Sequence, residues 1–324
     1  MLTNQFKINY SVGSIANGIK TDTFTFFLLF FYSNIIGLNP GLAGTAIFIA
    51  LCVDAFTDPL MGTISDRTNS SFGRRHPYMF ISFIPMSLGY IFLFAPRQDW
   101  DMSQSDLFVW MTIFTILTRI GMTLFDIPHR AFGGEITKNY NERTLLMSWR
   151  EMFAWVAGLS NAFLGYGVFF ASTPEFPQGQ LNPDAWFPFA LTGALIMIIS
   201  VLYSSLSTKN EINSLSKWSG SIALGAILNE LKIALGNKSF LIFFFGNLFL
   251  SLAWGLANTL TLFVNTYFWE FEATQIKYFL PIYLFATLFA FYLTPIMVKL
   301  YDKRIIVLVC IGAVGLLSPA AFIM

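Results

Sequence analysis

The chain has 324 residues, of which 55% are hydrophobic and 11% charged, with a net charge of +1. Soluble domains carry about a quarter charged residues, so this composition, with a mean hydropathy of +0.62, implies an all-α polytopic membrane protein. The near-zero charge gives no basis for a nucleic-acid partner.

Residues 1–10 lack a basic stretch followed by a small-residue cleavage site, so the first helix is expected to be its own insertion signal. Apolar runs of about 20 residues, the length needed to span a bilayer, fall at 11–36, 40–64, 77–96, 106–130, 145–171, 186–206, 239–266, 276–298 and 305–324. Thirteen loop lysines and arginines fall on one side and two, Arg97 and Lys277, on the other. The positive-inside rule then places the N-terminus in the cytoplasm of a multi-pass cell-membrane protein.

The first helix carries Asn17, Lys20, Thr21 and Asp22. Lys20 and Asp22 are two apart and point to different sides, so they do not pair with each other.

The second holds Asp54-Ala-Phe-Thr57-Asp58-Pro59. Its two carboxylates are four apart and share a helix face, while Pro59 frees a carbonyl a turn earlier. A charged Asp inside a bilayer costs about 2.5–3.5 kcal/mol even on lenient scales. Two on one face require a cation, a proton or a basic partner. They are therefore either a cation site or helix–helix glue paired with membrane arginines, and the two readings can alternate on the same carboxylates.

After this helix comes Gly62-Thr-Ile-Ser-Asp66-Arg67 … Gly73-Arg74-Arg75. Gly73 permits a tight turn that sets two arginines near a helix end or a neighbouring carboxylate. A weaker echo, Lys299-Leu-Tyr-Asp302-Lys303-Arg304, closes the eighth span, as an internal repeat of six helices predicts.

The fourth helix carries Arg119, Thr123 and Asp126 on nearly one face and ends Asp126-Ile-Pro128-His129-Arg130. Asp126 is the expected third carboxylate beside Asp54 and Asp58. Three carboxylates and a hydroxyl are hard oxygen ligands, suited to Na⁺, Li⁺ or a proton.

The fifth begins Ser148-Trp149-Arg150-Glu151. Arg150 can give paired hydrogen bonds to a carboxylate or hydroxyl cluster. Trp149 is either a sugar-stacking ring or part of an interfacial aromatic belt.

Residues 207–238 form a basic polar loop in which 222–235 reads as an amphipathic surface helix or a plain linker. In the seventh span Asn247, Trp254, Asn258, Thr261 and Asn265 make one polar seam, either a helix interface or a cavity wall. Cys52 and Cys310 read as small hydrophobes. His76 and His129 have no nucleophile–base context, and no phosphate-cradling loop is found, so the chain is not expected to be an enzyme or to need a cofactor.

Phe30-Phe31-Tyr32 … Gly37-Leu38, Asp54-Ala-Phe-Thr-Asp58-Pro59-Leu-Met-Gly62, Asp66-Arg67 … Gly73-Arg74-Arg75 … Pro77 and Asp126-Ile-Pro128 … Asn141-Glu142-Arg143-Thr144 together resemble the glycoside–pentoside–hexuronide:cation symporter family. This is the melibiose-permease-like branch of the major facilitator superfamily. The resemblance implies two six-helix bundles and Na⁺-, Li⁺- or H⁺-coupled sugar uptake by alternating access. It further implies that Asp54, Asp58 and Thr123 bind the cation, that Asp126 contacts substrate beside it, and that Arg150 contacts the sugar. Gly18 stands where melibiose-type members carry an aspartate, with Asp22 one turn on as the candidate substitute. Arg130 replaces their stacking Trp, which turns attention to acidic sugars.

The expected domains are an N-terminal bundle at 1–206, a cytoplasmic loop at 207–238 and a partial C-terminal bundle at 239–324. The chain then reads as a facilitator fold truncated after nine helices. The expected cation ligands are Asp54, Asp58, Thr123 and Asp126, and the expected substrate contacts are Asp22, Asp126, Trp149, Arg150, Trp254 and Asn258. Asp66, Arg67, Gly73, Arg74 and Arg75 form the cytoplasmic gating motif, and the protein is expected to act as a monomer in the bilayer. The alternatives are a proton-coupled or lipid-like-substrate transporter of the same superfamily, or a membrane sensor without transport.

Overall fold

The computed structural model describes residues 2–209, 211, 233 and 235–317, and among them there is no strand. Nine helices are numbered here among the described residues. They are α1, residues 4–36; α2, Pro40–Arg67; α3, His76–Leu93; α4, Gln104–Glu135; α5, Tyr140–Leu164; α6, Trp186–Ser207; α7, Lys238–Phe263; α8, Ala273–Leu300; and α9, Lys303–Leu317. The seven from α2 to α8 contain stretches long and apolar enough to cross a membrane. α1 is interrupted by π turns at Thr23–Phe27 and Phe31–Ile36. The apolar part of α9, Ile305–Leu316, is shorter than a span. The surface helix expected at 222–235 lies outside the described residues, apart from positions 233 and 235.

Local chemistry sets the helix boundaries. Gly37 ends α1 in the left-handed region (φ 85°), and the next amide, of Leu38, reaches back to the Tyr32 carbonyl at 2.8 Å, a glycine-dependent helix stop. Asn39 caps α2 through the Gly41 amide at 2.8 Å, with Pro40 at the first helical position. Ser103 and Asp106 form a reciprocal capping box at the start of α4.

The chain forms two compact units, Met1–Leu280 and Pro281–Met324. In the first unit α2 runs along α4, α3 packs on α4 and α6, and α1 packs on α5 and α6. Trp186, fully buried, centres an aromatic core with Phe27, Phe30, Phe31, Phe94 and Phe170. Its indole N–H donates to the Gln180 carbonyl at 3.1 Å. α7 joins this core through its C-terminal end, where the Phe263 ring lies 5.3 Å from that of Phe30. Beyond it, the Tyr267 hydroxyl donates to Asn34 Oδ1 at 2.7 Å.

Without a hydrophobic drive between helices in lipid, close approach depends on small residues. A Cβ on Gly18 would sit 1.9 Å from the Ala154 carbonyl oxygen of α5, whereas one on Gly44 would meet nothing within 4 Å. Gly18→Ala is therefore expected to lower the unfolding temperature of the detergent-solubilised protein, with an overpacking penalty of about 1–3 kcal/mol. Gly44→Ala should leave it unchanged.

Candidate cation and substrate site

Three helices meet around a cavity of about 70 Å³ lined by Asn17 and Lys20 of α1, Asp54 and Asp58 of α2, and Arg119, Met122, Thr123, Asp126 and Ile127 of α4. Helical spacing explains the convergence. Asp54 and Asp58 are one turn apart, and Arg119, Met122, Thr123 and Asp126 fall at steps of three or four on the facing helix.

Each carboxylate has a partner. The Thr123 hydroxyl donates to Asp58 Oδ1 at 2.6 Å. An Arg119 guanidinium nitrogen donates to Asp54 Oδ2. Asp126 is held on both oxygens, by Arg150 at Oδ1 and by Arg130 Nε at Oδ2, the latter at 2.7 Å. Arg150 also bonds Glu151, and its side chain is only 1% exposed. Its burial in a chain this apolar makes the pair with Asp126 necessary, because an unpaired charge there is strongly disfavoured.

Asp54, Asp58 and Asp126 line one cavity, but among the described residues no three acidic, histidine or cysteine side chains are grouped to hold a metal ion. Asp126 has both oxygens bonded to arginines, whereas Asp58 accepts from Thr123 and bears no ion pair among the described residues.

The remaining expected substrate contacts lie away from the cavity wall. Asp22 points from α1 at α5, where a Cβ on Gly158 would lie 2.0 Å from its Oδ2. That oxygen is buried without a hydrogen-bond partner among the described residues. Trp149 is half-buried and stacks on Phe153 with ring centroids 6.3 Å apart. Trp254 is 57% exposed. The Asn258 amide donates to the Trp254 carbonyl at 2.7 Å, and the Thr261 hydroxyl to the Ala257 carbonyl, also at 2.7 Å. Asn258 and Thr261 thus bond the backbone of their own helix, and neither Trp254 nor Asn258 is on the wall of the cavity.

At the other end of α2 and α4 the arginine motif forms a network. Gly73 takes a left-handed conformation (φ 74°), and the Ser70 hydroxyl donates to its carbonyl at 2.6 Å. One Arg75 guanidinium nitrogen donates to Asp66 Oδ1 at 2.6 Å and to Glu135 Oε1 at 2.7 Å, and Arg74 bonds the second oxygen of Glu135. Arg67 closes α2 beside them. Sequence reading missed Glu135, whose only local signal is a carboxylate ending a long apolar helix. Because one nitrogen of a side chain only 3% exposed holds both acids, Arg75→Ala is expected to loosen the ends of α2 and α4, by about 1–3 kcal/mol for hydrogen bonds to charged groups that solvent partly screens. Faster limited proteolysis between residues 68 and 75 would report it, and an unchanged rate would contradict it.

Comparison with known proteins places these features in a family. A family model described as MFS/sugar transport protein matches residues 9–324. The chain is 32% identical over 211 residues to an uncharacterised symporter of Synechocystis sp., covering 63% of this chain and 37% of that protein. It is 27% identical over 237 residues to a putative glycoside/cation symporter of Escherichia coli, covering 73% and 49%. It is 30% identical over 179 residues to a sodium-dependent lysophosphatidylcholine symporter of Danio rerio, covering 53% and 32%. The chain thus spans between about a third and a half of the length of these relatives. Each is named as a symporter and none of the three as an enzyme. The glycoside:cation symporter resemblance and the major facilitator fold accord with this match and with the strand-free helices, and the chain belongs to the MFS/sugar transport protein family.

Proposed function

We propose that the full-length protein is a secondary active transporter that couples inward movement of Na⁺, Li⁺ or H⁺ to uptake of a sugar or glycoside by alternating access. The observation that carries this reading is the convergence of Asp54, Asp58, Thr123 and Asp126 on one cavity between α1, α2 and α4. About 70 Å³ has room for a few water molecules. It suits a small cation, whereas pockets for larger ligands run to about 300–1,000 Å³. The carrier binds substrate in a more open arrangement than this one.

In that mechanism the cation binds at Asp58 with the Thr123 hydroxyl, drawing on Asp54 beside it, and offsets the acidic charge next to Asp126. Asp126 and Arg150 then engage sugar hydroxyls or an acidic group through charge-assisted hydrogen bonds. Binding of each ligand favours the other reciprocally. The Arg74–Arg75–Glu135–Asp66 network clasps the cytoplasmic ends of α2 and α4 and must open and reform as access alternates. We place the protein as a monomer in the cell membrane with its N-terminus in the cytoplasm. A lipid-like substrate is the second reading, favoured by the lysophosphatidylcholine symporter among the relatives.

The test is uptake into membrane vesicles of neutral sugars, acidic sugars and a lysolipid, with and without an inward Na⁺ or proton gradient. Gradient-driven accumulation of a sugar supports the proposal. Accumulation of the lysolipid alone transfers the reading to the second substrate class, and absence of any gradient-driven uptake refutes it.

A further inference from the structure

We infer that Arg119 is a tethered cation that competes with the coupling ion for Asp54, so that this residue sets the site's cation affinity. The inference rests on the cation-site reading above and adds a residue to it. Four observations carry it. Arg119 projects into the same cavity as Asp54 and Asp58, from the facing helix. Its guanidinium contacts Asp54 through one nitrogen and one oxygen only, without the two-point fork that makes arginine–carboxylate pairs strongest. Arg119 Nε and Asp54 Oδ1 are both buried and have no hydrogen-bond partner among the described residues. Lastly, the guanidinium lies 5.6 Å from the Phe24 ring centroid, a cation–π contact that offers a resting place when Asp54 is released.

Such a pair neutralises Asp54 when no ion is bound, and it leaves unsatisfied atoms on both partners. A mobile cation that takes Asp54 supplies the charge that the guanidinium gave, while Arg119 stays over Phe24. The positive charge nonetheless remains within a few ångströms and opposes the incoming ion throughout. Lys20, also on the cavity wall, with its ammonium 5.9 Å from the same ring, adds to the opposition. At the effective dielectric of a protein interior, a neighbouring charge at this range changes ion affinity by about tenfold or more.

The experiment is calorimetric titration of Na⁺, and in parallel Li⁺, into the purified full-length protein in detergent. The wild type would be compared with Arg119→Gln, Arg119→Lys, Asp54→Asn and the double variant Asp54→Asn/Arg119→Gln. Expected is a gain in ion affinity of about tenfold or more in Arg119→Gln and little change in Arg119→Lys. Asp54→Asn should lose affinity, because it removes a carboxylate the ion uses and strands the guanidinium beside Asp58, and the double variant should recover the part of that loss due to the stranded charge. The recovery can be read even if Arg119→Gln alone fails to fold. Unchanged or weaker binding in Arg119→Gln, or no recovery in the double variant, would overturn the inference and leave Arg119 as helix-packing glue. If no protein in the set, wild type included, binds either ion, the cation-site reading itself fails, which differs from a wild type that binds with no effect of Arg119.

Discussion

Arg150→Ala is expected to abolish transport and to destabilise the first unit. The guanidinium is 1% exposed and bonds both Asp126 and Glu151. Removing one partner of a buried pair leaves the other charge uncompensated, at a cost of about 3–5 kcal/mol in measured cases. Arg130 would still hold one oxygen of Asp126, which places the loss toward the lower end of that range. Arg150→Lys separates fold from function. A lysine keeps the charge but lacks the planar fork that reaches two carboxylates at once, so the protein should remain folded while substrate affinity falls. Thermal unfolding in detergent and substrate binding, measured on both variants, check the two halves. Full binding by a folded Arg150→Ala protein would contradict the role given to this residue.

Asp58→Asn is expected to uncouple transport from its ion while leaving the fold intact. The amide matches the carboxylate in shape, and its oxygen can still accept from Thr123, so the 2.6 Å bond across α2 and α4 survives. The charge that attracts the cation does not. Coupling between two ligands of one protein is typically about 1–3 kcal/mol, or about 5–150-fold in affinity, and this is the amount expected to vanish. Exchange of substrate across the membrane without a gradient should continue, and accumulation against a gradient should stop. Uptake by Asp58→Asn that still follows an ion gradient would remove Asp58 from the mechanism.

Much of the site is legible in the sequence because helical spacing is geometric. Asp54 and Asp58 sit one turn apart, as do Arg119 and Thr123, and hydropathy alone places both pairs inside the membrane. Membrane burial of a charge is severe enough to demand partners. Which partner each acid takes is a three-dimensional matter. Nothing in the spacing of α2 says that Asp54 meets Arg119 while Asp58 meets Thr123, or that Asp126 is held by two arginines. Glu135 was invisible for a similar reason: the arginine motif announced a carboxylate partner without saying which helix end supplies it. The seam on α7 is plain as a periodicity, but that Asn258 and Thr261 bond the backbone of their own helix is a local choice that spacing does not foretell.

The division into helices was readable for the long apolar runs and less so where the backbone departs from regular α geometry. The π turns of α1 at Thr23–Phe27 and Phe31–Ile36 arise within an unbroken apolar stretch, and pattern alone does not mark them. Gly37, by contrast, is a readable stop, because its left-handed conformation suits glycine best.

The most direct measurement is the equilibrium affinity for the substrate identified by the vesicle panel, with the coupling cation saturating or replaced by choline, in the wild type and in Asp58→Asn. A symporter whose ion binds at Asp58 should bind substrate about 5–150-fold more tightly with the cation present, and Asp58→Asn should show the same weak affinity in both conditions. Cation dependence that persists in Asp58→Asn, or that is missing from the wild type, would contradict the account.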